Sequence, residues 1–119
     1  MSKKLNENQA RQGDVLIEKN PNISVEQLRR DGKSEGKGKC ILAEGEATGH
    51  AHRAIVPPIN GEYVEIFQMG NSRIMYVPEC FGTVTVNHEE HGPVTVGAGC
   101  HDITIQQEYR DGLVRNVRD

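Results

Sequence analysis

Short apolar runs bounded by turn residues recur along most of this chain, and they constrain its fold more than any other feature. The runs are rich in Val and Ile, whose β-branched side chains fit the half-buried surface of a pleated sheet. Turn signals separate them, for example Gly70-Asn71 between two such runs. Many short strands joined by Gly-containing turns indicate an all-β fold, a small antiparallel β-barrel or sandwich.

One segment has helical rather than strand spacing. Val25 and Leu28 follow Ser24, a favourable N-cap with Gln27 three residues after it. The sequence therefore predicts at most one short helix, near residues 24–30. The Gly- and Lys-rich residues 31–39 that follow are predicted to form a solvated loop.

The length of the chain bounds its organisation. With 119 residues it has room for a single modest hydrophobic core. Residues 1–10 are polar and show no apolar pattern. We therefore expect a mobile N-terminal tail over residues 1–10, followed by a single β domain over residues 11–119.

Charge, hydropathy and cysteine content argue against several classes of protein. The net charge of −3 at pH 7 does not imply a nucleic-acid partner. No apolar run approaches the roughly 18 residues of a membrane span, and the first residues lack the apolar stretch of a signal peptide. The three cysteines are widely spaced, as is typical of reduced thiols. We therefore expect a cytoplasmic protein with no membrane partner.

The five histidines are concentrated in a small part of the sequence. His50 and His52 form an HxH pair, His88 and His91 follow in a second short segment, and His101 comes soon after. Successive side chains of a strand point to opposite faces, so His50 and His52 should share one face. The two histidine segments are therefore interpreted as two halves of one site.

Strand alternation also predicts the direction of the remaining imidazoles. His88 has the parity of the valines before it, and His101 has that of the isoleucines after it, so both should point inward. His91 lies beside the turn at Gly92-Pro93, where it can converge with His88. The expected ligand set is the HxH pair together with either His88 or His91.

Several imidazoles on one surface indicate a site for a divalent metal ion. Three histidines with an open position are what catalytic metal sites use to hold a water or a substrate. Zinc is the first choice of metal, and iron, manganese or nickel are alternatives. Glu89 and Glu90 stand beside the second pair and are candidates for an oxygen ligand or for a catalytic general base.

Two segments resemble the motifs of the cupin superfamily, small β-barrels whose metal is held by an HxH pair, a Glu shortly after it and a later His. Gly45–His52 resembles the first motif, with the Gly-to-His spacing one residue short and no Glu three or four residues beyond His52. Gly97–His101 resembles the second, with Gly97 in place of the usual Pro and His101 one residue early. The resemblance implies His50, His52 and His101 as ligands, whereas the reasoning from strand parity favours His88 and His91. All five histidines are therefore metal candidates. The whole chain also resembles short bacterial and phage proteins that carry no assigned activity.

Together these features predict a metal-dependent enzyme, a hydrolase or a lyase, that acts on a small polar substrate. The alternative is a non-catalytic binding or assembly module whose metal holds strands or subunits together. In both cases a homo-oligomer is expected, because small β domains often cover their open sheet edges by association.

Overall fold

Antiparallel strands make up most of the chain in the computed structural model, which describes residues 8–44, 49–105, 107–110 and 113–116, with side chains up to residue 105. One α-helix, α1 (Val25–Asp31), lies between the second and third strands, and a 3-10 helix (Glu79–Phe81) follows the seventh. The all-β class is therefore confirmed. In chain order the strands are β1 (Gln9–Gln12), β2 (Val15–Lys19), β3 (Lys33–Lys37), β4 (Lys39–Glu44), β5 (Ala51–Ile55), β6 (Glu65–Met69), β7 (Ser72–Val77), β8 (Thr83–Val86), β9 (Val94–Gly97), β10 (Gly99–Ile105), β11 (Gln107–Arg110) and β12 (Leu113–Asn116).

The strands are arranged as a sandwich. Six of them form an antiparallel sheet in the order β1-β2-β10-β7-β6-β3. The hairpins β4–β5 and β8–β9 form the second layer, where Arg53 and Asn87 exchange two backbone hydrogen bonds of 2.9 and 2.8 Å and so join β5 to the end of β8. β11 and β12 pair with each other. Among the described residues the sheets do not close into a barrel, so the sandwich is the form that the chain adopts.

The hydrophobic core lies between the two layers, and burial of this apolar surface is the main stabilising term of the fold. Strands of both layers contribute to it, and a smaller cluster lies beneath α1 on the other face of the six-stranded sheet. The main core contains Val15, Ile17, Cys40, Leu42, Ala43, Ala54, Val64, Ile66, Met75, Val77, Val84, Val86 and Val96. The cluster beneath α1 contains Leu28, Phe67, Ile74 and Cys100.

The helix begins where the sequence predicts it. The Ser24 side-chain oxygen accepts a hydrogen bond of 3.1 Å from the Gln27 backbone N–H and so caps α1. Leu28 is its buried residue and fixes the helix to the sheet. In the part of the chain that the structure describes, no helix is long and apolar enough to cross a membrane.

The prediction of a solvated loop over residues 31–39 is wrong. Residues 33–37 form β3, an edge strand that pairs with β6 and leaves most of its side chains exposed. An exposed edge strand rich in Lys and Gly has the composition of a loop, because lysines on an edge discourage pairing with other chains. The composition alone therefore could not reveal the strand.

The chain passes from one layer to the other at Gly38. Its φ of 75° lies in the left-handed region, which glycine adopts without strain. Its N–H donates to the Val64 carbonyl over 2.7 Å, and its own carbonyl accepts from the Val56 N–H over 2.8 Å. A Cβ at this position would lie 3.3 Å from the ring of Tyr63. The crossing therefore needs a glycine for its conformation and for its close contacts.

The first hairpin starts earlier than the sequence suggests. β1 takes in Gln9 and Ala10, which the sequence predicts to belong to the tail, while residues 1–7 lie outside the described residues. Only Gly13 and Asp14 connect β1 to β2, and Gly13 has a φ of 58°, as a two-residue hairpin turn requires. This turn places Gln12 and Asp14 at the edge of the second layer, where the histidines lie.

Candidate metal centre

Four of the five histidines form one cluster of imidazole rings, which we call the histidine centre (His50, His52, His88 and His91). The ring of His88 contacts all three others, with centroid distances of 4.3 Å to His52, 4.9 Å to His91 and 5.9 Å to His50. The rings of His52 and His91 are 6.1 Å apart and nearly parallel. The structure therefore brings together the two segments that the sequence pairs, with His88 in the middle.

Backbone pairing explains why the two segments meet. The backbone bonds between Arg53 and Asn87 hold β5 against the end of β8, and His88 is the next residue along. His52 lies within β5 and is fully buried, whereas His50 precedes the strand and its side chain is 27% exposed. Among the described residues, none of the ring contacts joins His50 directly to His52. The two histidines of the HxH pair are therefore connected through the ring of His88.

The side-chain amide of Gln12 fixes the tautomer of His52. The Gln12 Nε2 donates to the carbonyls of Val86 (3.0 Å) and Gly92 (2.9 Å), so its Oε1 is the atom that faces His52 Nδ1 at 2.8 Å. Because an amide oxygen only accepts, Nδ1 must carry the hydrogen. The lone pair of His52 is therefore on Nε2, the arrangement found when a neighbouring group orients a metal-binding histidine.

A carboxylate faces that lone pair. Asp14 Oδ1 is 3.5 Å from His52 Nε2, and the Asp14 side chain is only 11% exposed. Two electron-pair donors that face each other in a buried site are stabilised by a cation between them, either a proton or a metal ion. This pair is the most enclosed part of the histidine centre.

His88 is in the opposite tautomer. Its Nδ1 accepts hydrogen bonds from the backbone N–H of Glu90 (3.0 Å) and of His91 (3.4 Å). A neutral ring that accepts at Nδ1 carries its hydrogen on Nε2, and this Nε2 is buried. His88 is therefore arranged as a hydrogen-bond donor toward the centre, while His91, whose Nε2 is also buried, is the better candidate for a ligand.

At the exposed side, His50 pairs with Glu90. The Nδ1 of His50 is 2.9 Å from Glu90 Oε2, and the Glu90 side chain is half exposed. A carboxylate at Nδ1 holds the hydrogen there and leaves Nε2 as the basic nitrogen. Of the two predicted acidic residues, Glu90 thus pairs with the imidazole of His50.

Glu89 has a different set of contacts. Its Oε1 accepts from the Ala51 N–H over 2.9 Å and its Oε2 pairs with Arg53. These contacts lower the Glu89 pKa to about 2. The Ala51 hydrogen bond is the largest cause, and the Arg53 guanidinium adds to it. A carboxylate with such a low pKa is a poor proton acceptor at neutral pH. Glu89 instead attaches the loop after β8 to β5.

A second grouping of ligand atoms lies nearer the surface. One ligand atom each of His50, His88 and Glu89 lies within 4.8 Å of the others. Metal binding there would require His88 to give up its backbone hydrogen bonds or its Nε2 hydrogen, and Glu89 already holds Ala51 and Arg53. We therefore regard the pair of His52 and Asp14 as the better ion site. The outer group lies on the path from solvent to that site.

His101 lies apart from the histidine centre. Its Nε2 donates to the Gly97 carbonyl over 2.7 Å, and among the described residues no ring contact links it to the other four. Burial lowers the His101 pKa, and the nearby Lys19 acts in the same direction. The structure therefore does not bring together the ligand set that the cupin resemblance implies, His50, His52 and His101.

Gln12 and Asp14 are site residues that the sequence does not predict. Both flank the Gly13 turn and are buried although they are polar. Their only signal is a pair of polar side chains on either side of a two-residue hairpin turn that opens onto a strand. Nothing in that pattern shows that the turn contacts a histidine 40 positions away.

Comparisons with known proteins give one match. The family model described as Domain of unknown function (DUF8820) matches residues 11–106, most of the chain. No curated protein and no solved structure matches it. The resemblance to cupins stays a prediction.

Proposed function

The chain belongs to the DUF8820 family, and we propose that its histidine centre binds one divalent transition-metal ion, zinc by preference, and serves a hydrolase that acts on a small polar substrate. The ion is held by Asp14, His52 and His91. Gln12 orients His52, and His50 with Glu90 stands at the solvent side.

The observation that carries this proposal is the spacing of His52 Nε2 and Asp14 Oδ1. Two ligand atoms that are each about 2.1 Å from a tetrahedral zinc ion lie about 3.4 Å from each other. In the structure these two atoms are 3.5 Å apart. A charged hydrogen bond between the same atoms would be about 2.7–2.9 Å long. The spacing therefore fits two ligands of one ion better than a protonated histidine paired with a carboxylate.

The exposure of the residues supports a catalytic rather than a closed site. Three protein ligands leave a fourth position of a tetrahedral ion for water or substrate. Glu90 is exposed and His50 is partly exposed, so both lie on the solvent side of the centre. A bound zinc ion lowers the pKa of its water to about 7. His50, whose Nδ1 faces Glu90, offers Nε2 to accept a proton there.

Metal content provides the first test. We expect one zinc ion per wild-type chain by elemental analysis after dialysis, and loss of that zinc in His52→Ala and Asp14→Asn. His101→Gln is the matched control, since it replaces a buried histidine outside the centre and should retain the metal. Wild-type protein that takes up no zinc, or zinc that survives both substitutions, would refute the proposal.

Activity provides the second test. Chromogenic esters and phosphoesters are small polar probes for hydrolysis, and the zinc-loaded wild type should cleave at least one of them. His50→Gln should keep its zinc and lose about 10²-fold or more in kcat, because His50 is the group placed to accept the proton and a general acid–base group contributes roughly that amount. Glu89→Gln is the comparison, since Glu89 is not arranged to accept a proton.

A second candidate function, a non-catalytic module stabilised by metal, is favoured by the position of Gln12. Its amide links the β1–β2 hairpin to the carbonyls of Val86 and Gly92 and to His52, so the centre lies where the two layers meet. An ion in this place would hold the layers together. Chelation distinguishes the candidates: a structural ion should be required for folding, whereas a catalytic site should leave a folded apoprotein.

Location and assembly complete the proposal. All three cysteines are free thiols, two of them buried, which suits a reducing compartment such as the cytoplasm. The strands β1 and β3 are the edges of the six-stranded sheet, and a homo-oligomer that covers them is expected. Light scattering of the purified chain measures the oligomeric state, and a monomer at micromolar concentration would refute this part.

A further inference from the structure

A cleft of about 320 Å³ opens between the β1–β2 hairpin and β9, and no residue of the histidine centre lines it. Its size is at the lower end of the range for small-molecule sites, about 300–1,000 Å³. His101, the buried histidine that the proposed metal centre does not use, is one of its lining residues. The cleft is therefore a place where a separate ligand can be considered.

Strand pairing sets the character of one wall. His101 on β10 is the direct partner of Lys19 on β2, so the two side chains stand on the same face of the sheet. The side chain of Lys19 lies against Gly99, where a Cβ would be only 3.0 Å from its Cε. The Lys19 ammonium is thereby kept at the cleft, beside the imidazole of His101.

Two side chains of opposite charge line the cleft and do not pair with each other. Lys19 and Glu79, the first residue of the 3-10 helix, both belong to its lining and both are exposed to solvent. Within the described residues neither takes part in an ion pair. Their charged atoms are therefore more than 4.0 Å apart, and a ligand that carries both signs complements them.

The rest of the lining is suited to a compact organic molecule. Ile17 and Val96 give it an apolar floor, and both are buried in the core. His101 donates from Nε2 to the Gly97 carbonyl, so its Nδ1 is the nitrogen that can accept a hydrogen bond. An apolar floor with a few fixed polar groups is the usual composition of a small-molecule site.

We propose that this cleft is a second ligand site that binds a small zwitterionic molecule of amino-acid size. The carboxylate of the ligand pairs with Lys19, its ammonium pairs with Glu79, and its side chain lies over Ile17 and Val96. This inference is independent of the metal proposal, because its residues and those of the histidine centre are different.

The test uses the whole chain with each common L-amino acid in turn as the probe, at millimolar concentration, followed by saturation-transfer NMR. We expect at least one amino acid to bind, and to bind about tenfold or more weakly once its carboxylate is converted to an amide or its amine is acetylated, as for a lost charged hydrogen bond. Lys19→Met and Glu79→Gln should each cause a similar loss. Lys33→Met, at the far edge of the same sheet, is the matched control and should bind as the wild type does.

Two results would overturn the inference. One is the absence of saturation transfer for every amino acid with a protein that circular dichroism shows to be folded. The other is binding that Lys19→Met and Glu79→Gln leave unchanged. His52→Ala should bind the amino acid as the wild type does, so a failed metal proposal and a failed cleft proposal give different results.

Discussion

His52 and His101 are both buried histidines on strands, but different groups surround their rings. His52 is fully buried, with the Gln12 amide at one ring nitrogen and the Asp14 carboxylate opposite the other. His101 is 4% exposed, and the hydrogen bond of its ring goes to the Gly97 carbonyl. Burial alone therefore does not distinguish a candidate metal ligand from another histidine. The Asp14 carboxylate oxygen that faces Nε2 of His52 makes the distinction.

The largest expected difference between the two histidines is in stability without metal. We expect His52→Ala to lower the free energy of unfolding of chelator-treated protein by about 3–5 kcal/mol, because it leaves a cavity and removes the partner of the Gln12 amide. His101→Ala should cost about 1–2 kcal/mol, since it borders a cleft that water can enter. Urea denaturation measures both values. Equal losses of unfolding free energy in the two variants would contradict the difference between the two histidines.

A smaller effect is expected when the orienting group is removed and the ligand is kept. Gln12→Leu should weaken zinc binding about 10–100-fold, because His52 then loses the acceptor that holds its Nδ1 hydrogen. Gln9→Leu, on the same strand but paired with Glu18, is the matched control and should bind zinc as the wild type does. Competition with a chromogenic chelator gives the affinities. If the two variants bind equally well, Gln12 has no orienting role.

The pH dependence of stability tests His101, the second histidine of the comparison. Burial lowers the pKa of His101 below its ordinary value, which is about 6.5 in an unfolded chain. Below that pH the unfolded chain binds more protons than the folded one, so the contribution of neutral His101 is complete above pH 6.5 and is lost as the pH falls. His101→Gln should therefore reduce the loss of Tm between pH 7 and pH 5 in metal-free protein. Identical slopes for the two proteins would contradict this explanation.

The smallest effect is expected at the surface contact that holds the histidine loop. Because the Glu89 pKa is lowered to about 2, its contribution is complete above pH 4.5 and is lost as the pH falls toward 2. Glu89→Gln should therefore lower the Tm slightly at pH 7 and leave it nearly unchanged near pH 2. Glu18→Gln, an exposed carboxylate on β2, serves as the control. A larger effect at pH 2 than at pH 7 would reverse the assigned sign.

Local rules recovered much of this fold from the sequence. Strand alternation placed Val84, Val86 and His101 on inward faces, and all three are buried. The Ser24 cap and the Gly70-Asn71 turn also lie where the sequence indicates. These features depend on neighbouring residues alone, so a single sequence contains the information for them.

The sequence did not predict the features that depend on contacts between distant parts of the chain. β3 has the composition of a loop because it is an edge strand, and Ile105, which shares the parity of His101, is 43% exposed toward the end of β10. Asp14 and Gln12 join the centre through the docking of a hairpin onto the other layer, and no local pattern encodes that contact. The histidines were recognised by residue type, whereas the groups that orient them were not.

The hydrogen bonds of Gln12 also have a kinetic consequence. They connect residues separated by 40, 74 and 80 positions, so the pocket around His52 exists only after residue 12 has met these distant parts of the chain. Contacts over such separations form slowly, because the chain must close long loops before they can form. An ion bound there would be captured late, after the rate-limiting step. We therefore expect zinc to slow unfolding while leaving the refolding rate nearly unchanged.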